Sequence, residues 1–253
     1  GSNAFNIKRG YLTLANNLNE TVSYKLTYDM GSNDAGSAHT AFLKVAMVKY
    51  KTSLADVTLG MQGMNMYKTM EDTWGHRFIS KGSMGAYRFS PSADLGIGFA
   101  RKFNQLSTSA MITNGGGYKR AEEDNHKKIS FHAVYGQPRL NKEDGFNFGA
   151  SFSLEPYDVD DSETENTNVM AIFAGYAGLG FRGGLELNTK EDDSPKGQVI
   201  SMYGTYELSD KISMLGRLDQ VDLNSSNSRD GVQEIIVGLH HSLGNGAIIA
   251  PTI

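Results

Sequence analysis

The residues with chemistry to offer in this sequence are charged, and they recur at alternate positions. Lys25 and Asp29 stand on the polar side of one alternating segment, Arg182 and Glu186 on that of a second, Arg217 and Asp219 on that of a third. Glu155 does so in a fourth, and Lys44, Asp94, Lys102 and Lys128 take the same kind of place in fainter segments. Charges of both signs facing one another across water set up a transverse field and a wet, polar path for ions and small solutes. The same side chains suit the solvated face of ordinary strands, and in a barrel the two readings coincide. Segment 65–91 adds Trp74, His76, Arg77, Phe78 and Arg88. It is too long for a simple connection. It folds inward as a constriction, caps the structure from outside, or forms an extra hairpin at 84–89.

The search for catalytic chemistry is largely negative. The six histidines (His39, His76, His126, His132, His240 and His241) form no HExxH, and no GxSxG or Walker sequence occurs. Gly115, Gly116 and Gly117 lack the GK[ST] that a phosphate loop needs. Ser130 beside His132 is a weak candidate for an enzyme acting on lipid. Cysteine is absent, which excludes disulfides, thiolate metal sites and a cysteine nucleophile. The acidic stretches 158–165 and 191–193 offer hard oxygen ligands for Ca²⁺ or for ions bridging to lipopolysaccharide, but no EF-hand pattern. Solvated surface loops are the preferred reading. No metal and no cofactor is expected, and a net charge of -4 gives no basic footprint for nucleic acid.

The elements that would position these residues are strands. In 21–30, Val22, Tyr24, Leu26, Tyr28 and Met30 alternate with Thr21, Ser23, Lys25, Thr27 and Asp29. Segments 146–155, 181–188 and 212–219 repeat the pattern, which is the signature of a strand between two different surroundings. Fainter alternation predicts strands near 5–15, 40–50, 54–64, 92–103, 106–114, 127–137, 167–177, 197–208 and 232–243, with a short one near 247–253. Segments of about ten residues match the ~9–11 that a tilted transmembrane strand requires.

The connections alternate in length. Short links at 16–20, 51–53, 104–105, 139–144, 178–180 and 209–211 separate long polar links at 31–39, 65–91, 115–126, 158–166, 189–196 and 224–231. Outer-membrane barrels have this asymmetry of tight periplasmic turns and large external loops. Orientation on that basis makes the strand at 5–15 run downward, so at least one upward strand is expected before it. The ending at Ile253, without a terminal aromatic, suggests missing terminal strands as well. Tyr50, Tyr67, Phe103, Tyr118, Tyr135, Tyr157 and Tyr176 suit the aromatic girdles at the two interfaces.

Hydrophobic residues make up 39% of the 253, below the roughly 45–50% of soluble chains, and the mean hydropathy is -0.38. No apolar run is long enough for a transmembrane helix, but a barrel needs none. Gly1 to Ala4 have the look of an expression scar, leaving 5–253 as one domain. The fold expected is an all-β, transmembrane, antiparallel up-and-down barrel of about 14 strands (range 12–16). The alternative is a soluble or surface-exposed β-rich binding module that buries its apolar strand faces.

Several segments resemble a known family. FNIKRGYLTL (5–14) and then VSYKLTYD (22–29) resemble the opening hairpin of the phosphate-selective-porin-like superfamily, and LKVAMVKYKTSLADVTLGMQ (43–62) resembles its next hairpin. EDTWGHRFISK (71–81), SADLGIG (92–98), ITNGGGY (112–118) and 122–128 resemble the succeeding part of the porin pattern. The resemblance covers the first half of the chain. It implies a bacterial outer-membrane channel for passive diffusion of small polar or ionic solutes, not an enzyme, in contact with outer-membrane lipid and lipopolysaccharide. A homotrimer is common among such porins. The family's lysine-rich phosphate ladder is not evident here, so phosphate selectivity is not carried over.

Overall fold

The computed structural model describes residues 7–31, 39–121, 125–160, 163–192, 196–226 and 231–253. Residues 1–4, Phe5 and parts of the links at 31–39, 115–126, 158–166, 189–196 and 224–231 lie outside the described residues, as do portions of both acidic stretches.

Among the described residues fourteen strands form one sheet in sequence order, each pairing antiparallel with the next. They are β1 (Gly10–Asn17), β2 (Val22–Gly31), β3 (Thr40–Lys51), β4 (Asp56–Gly63), β5 (Ala93–Phe103), β6 (Leu106–Thr113), β7 (Lys128–Gly136), β8 (Gly145–Asp160), β9 (Glu163–Gly178), β10 (Phe181–Glu191), β11 (Gly197–Ser209), β12 (Ile212–Asp222), β13 (Val232–Gly244) and β14 (Ala247–Ile249). Among the described residues no helix is long and apolar enough to cross a membrane. After β14 the chain continues along β13, where Val237 and Ile253 exchange backbone hydrogen bonds.

Directly paired residues share a face, so the register sorts every strand. The outward face is apolar and exposed: Phe148 is 54% exposed, Leu185 53% and Ile172 55%. The inward face carries buried Thr27, Asp29, Asp94, Ser130, Ser153, Asn188 and Ser201. Such an inverted surface is stable only where hydrocarbon surrounds it and the sheet satisfies its own backbone. A soluble module would bury Val22, Leu26, Phe148, Phe152 and Leu185 together. Here they stand along the outer wall, and that alternative falls.

Two expectations change. The link at 158–166 is not a long loop. β8 and β9 are 16 residues each and pair up to Asp160 and Glu163, with a bulge between Asp158 and Asp160. Between Asp158 and Asn168 Val159 is the one apolar residue, so the alternation that marks the other strands lapses where both faces stand in water. The extra hairpin at 84–89 does not form either. Segment 64–92 holds two short helices, α1 (Lys68–Trp74) and α2 (Ser83–Ala86), and turns inward.

One tight turn works against its residue type. Leu179 adopts φ 56°, a left-handed conformation that costs an L-residue roughly 1–2 kcal/mol. Its side chain is almost fully exposed and gains nothing in return. Asn104 and Asn245 occupy the same backbone region in the equivalent turns before β6 and β14, where asparagine is tolerated. Leu179→Asn is therefore expected to raise stability by about 0.5–1 kcal/mol. An unchanged midpoint of urea unfolding in detergent would contradict this.

Candidate lumen and inward loop

Segment 64–92 is held against the inner wall by hydrogen bonds from successive strands. Ser130 Oγ donates to Asn65 Oδ1 at 2.8 Å, and Ser151 Oγ to the Met66 carbonyl at 2.7 Å. Tyr203 OH donates to the Met70 carbonyl at 3.1 Å, and Arg182 Nε to that of Thr73 at 2.9 Å. Asn188 Nδ2 donates to Ser83 Oγ at 2.6 Å, Arg217 to the Lys81 carbonyl, and Tyr87 OH to Asp219 at 2.9 Å. A loop that bonds to the inner side of β7, β8, β10, β11 and β12 in turn requires the sheet to curl around it.

The packing beneath is largely apolar. Met64, Met66, Tyr67, Met70, Met84 and Phe89 meet inward-facing Met111, Val134, Val169, Ala171, Phe173, Val199 and Val221. Trp74, Tyr203 and Leu215 form a second cluster. The directly paired Gly175 and Gly184 make room for α1, since a Cβ on either would lie 3.0–3.1 Å from Thr73 Cγ2. Gly75 ends α1 at φ 74°, and a Cβ there would collide with the Arg182 guanidinium.

The sequence-predicted lining residues divide into four groups. Arg182, Glu186, Arg217 and Asp219 lie beneath the loop; Arg182, Arg217 and Asp219 bond to it, and Glu186 is buried beside them. Asp94 accepts the backbone N–H of Gly115 at 2.6 Å and of Leu95 at 2.9 Å, fixing the turn after β6. Asp29 and Lys44 stand near Arg9 and Tyr118, and Lys128 pairs with Glu155 at 2.7 Å; Asp29 and Lys128 are themselves buried. Lys44 is the extra residue of a bulge opposite Thr27 and Tyr28 and reaches Tyr11 OH at 2.9 Å. Lys25 and Lys102 are exposed on the inward face near the short turns.

Of the constriction candidates, Trp74 and His76 are buried against the wall, with His76 Nε2 2.7 Å from Thr205 Oγ1. Burial, then the charge of Arg182 and the neighbouring His240, push the His76 imidazole down to about 4. Arg77 and Arg88 face the other way, into open space, with Arg77 paired to Glu71. Two contiguous cavities of about 1010 and 480 Å³ share Arg9, Arg77 and Lys81 and separate the loop from β1 and the turn at 115–120. The smaller is lined by eight basic side chains (Arg9, Arg77, Lys81, Arg88, Lys119, Arg120, Lys128 and Lys190) and one carboxylate, Glu155. Asp29, Glu71, Glu155 and Asp192 answer Arg9, Arg77, Lys128 and Lys190. Among the described residues no carboxylate lies within ion-pair distance of Lys81, Arg88, Lys119 or Arg120. Desolvation, then the like charges of Arg9, Arg77, Lys119 and Lys44, hold the Lys81 ammonium below its ordinary pKa.

Ser130 and His132 do not form a catalytic pair. Ser151 gives its proton to the Met66 carbonyl, so His132 Nδ1, 2.8 Å away, must donate to Ser151 and cannot act as its base. His132 Nε2 then accepts from Thr69 Oγ1 at 3.0 Å. Among the described residues no group of His, Cys, Asp and Glu is placed to hold a metal.

Arg9, Lys81 and Lys119 were not among the sequence-predicted lining residues, and Tyr118 was read there as a girdle aromatic; Lys81, Tyr118 and Lys119 stand outside the alternating segments. The inward apolar residues did leave a signal. Val169 to Phe173 is apolar on both faces, the pattern of a strand covered on both sides.

Residues 1–194 match the family described as Phosphate-selective porin O and P. No curated protein matches the chain. Among solved structures, Salmonella typhi OmpF in complex with daunomycin is similar at 11% identity and TM-score 0.68, over 99% of this chain and 84% of that one. The trimer form of Vibrio cholerae OmpT is similar at 10% identity and TM-score 0.63, over 96% and 78%. A mutant porin of Rh. blastica is similar at 10% identity and TM-score 0.64, over 96% and 82%. With its apolar outer wall, polar inner face and inward loop, the chain belongs to the Phosphate-selective porin O and P family, as an outer-membrane channel for small solutes.

Proposed function

We infer that this channel passes small solutes by diffusion through the space between the inward loop and β1 to β3, and that it favours anions. The carrying observation is the basic vestibule, where four of eight cations have no described carboxylate partner. A narrow, low-dielectric mouth lined by one sign of charge concentrates counter-ions. Family and fold point to a channel rather than an enzyme, and no catalytic step is assigned to any residue. A homotrimer belongs to the same proposal, on the ground that the similar OmpT was solved in a trimer form.

Single-channel recording across a KCl gradient tests the preference. The zero-current potential is expected to have the sign of chloride selectivity at about 0.1 M salt and to weaken at about 1 M, where the screening length falls from roughly 10 to 3 Å. A potassium-selective potential at low salt would overturn the reading.

A further inference from the structure

The outer wall carries a feature that solute passage does not use. Away from the long-loop rim, where Asp158, Glu191 and Asp222 stand, the register places one charged side chain on the outward face among the described residues, Arg101. It is exposed, two residues before the end of β5 at the short-turn side. A cation facing hydrocarbon is costly near the bilayer centre and tolerable near the interface. Its guanidinium lies 4.8 Å over the Phe103 ring, and Nη1 donates to the Leu54 carbonyl, which leaves most of its donors free for a ligand.

Arg101 stands at the end of an apolar groove. The directly paired Ala133 and Ala150 form its floor, and the paired Phe131 and Phe152 rise along one side. The next row on the other side holds the paired Tyr135 and Phe148, their rings 5.3 Å apart. The groove encloses about 530 Å³ and runs from Ile172 to Arg101. There it joins a polar hollow of about 450 Å³ at the turn 52–55, which shares Ala55 and Thr108 with it. Asp56 also lines that hollow, but its carboxylate is held at 2.5 Å by Lys49. An apolar trough ending in a lone cation at a wet mouth complements a hydrocarbon tail ending in a phosphate.

We propose that this groove is a binding site for an anionic glycerophospholipid of the leaflet at the short-turn side. One acyl chain lies over Ala133 and Ala150, and the phosphate takes the Arg101 fork. The proposal rests on the membrane placement of the barrel but not on its ion preference.

The test uses the folded protein in nanodiscs of phosphatidylcholine with phosphatidylglycerol, and native mass spectrometry as the readout. Wild type is expected to retain phosphatidylglycerol over phosphatidylcholine. Arg101→Gln removes a charge-assisted fork and is expected to lower that retention about tenfold. Ala133→Phe fills the trough and is expected to do the same, while Val48→Phe on the distant outer face of β3 leaves it unchanged. Neither Arg101 nor Ala133 lines the channel, so unchanged conductance certifies that each variant is folded. Equal retention in all proteins overturns the proposal and leaves Arg101 reaching only for water. Loss of an oligomer on Ala133→Phe with retention intact also overturns it, assigning the groove to a second copy.

Discussion

Arg217→Met is expected to release the inward loop and to destabilise the protein by about 3–5 kcal/mol, the usual cost of removing one partner from a buried ion pair. Arg217 is 4% exposed and holds three things together. Its Nε donates to Asp219 Oδ1 at 2.8 Å and Nη2 meets the other carboxylate oxygen. Its Nη1 donates to the Lys81 carbonyl in the loop, and its Cζ lies 5.6 Å from the Trp74 ring centre. Methionine restores much of the volume and none of the charge. Asp219, 3% exposed, would keep only Ser201 and Tyr87, and the neighbouring buried Glu186 would lose its nearby cation. Desolvation of the orphaned carboxylates outweighs the hydrophobic gain of the methionine. The expected readouts are a lower unfolding midpoint and a larger, noisier single-channel conductance as the loop leaves the lumen. Arg217→Lys keeps the charge but not the fork, and an intermediate effect separates loop anchoring from gross misfolding. Wild-type noise and midpoint in the methionine variant would sink this account.

The strands were legible because their two faces meet different solvents. Hydrocarbon outside and water inside impose a period of two on Val22 to Met30 or Phe146 to Leu154, and the period fixes which residues share a face. The same logic misled where a strand's inner face meets protein instead of water. Arg182, Glu186, Arg217 and Asp219 obey the alternation as open-lumen charges would, yet the loop covers them, because periodicity reports direction and not what lies opposite. The hairpin tip beyond Tyr157 was illegible for the converse reason: with water on both sides, nothing selects between Glu163 to Asn168 as a strand and as a loop. The vestibule was hidden more deeply. Arg9 precedes β1, Lys81 and Arg88 sit in segment 64–92, and Lys119 in the turn after β6, so no local pattern could bring them together.

Lys81→Glu combined with Arg88→Glu is expected to invert the ion preference while leaving the fold intact. Both side chains are exposed, and neither has an ion-pair partner among the described residues, so their reversal orphans no buried charge. Lys81 anchors the loop through its carbonyl, which any residue supplies. Arg88 holds φ 63°, so glutamate inherits a strain already present and adds little to it. Each substitution changes the local charge by two units. Two opposed unit charges about 4 Å apart in water exchange only about 1 kcal/mol, but an effective dielectric nearer 20 multiplies that to about 4. The vestibule lies between these limits, so a few reversed charges suffice to change which ion is enriched. The zero-current potential in a KCl gradient should change sign at about 0.1 M salt, and the difference from wild type should shrink at about 1 M. Arg77→Glu is the poorer choice, because it would set two carboxylates against each other beside Glu71 and confound selectivity with loop release. A double variant that folds, conducts as wild type and keeps chloride preference would show that the solute path avoids this vestibule.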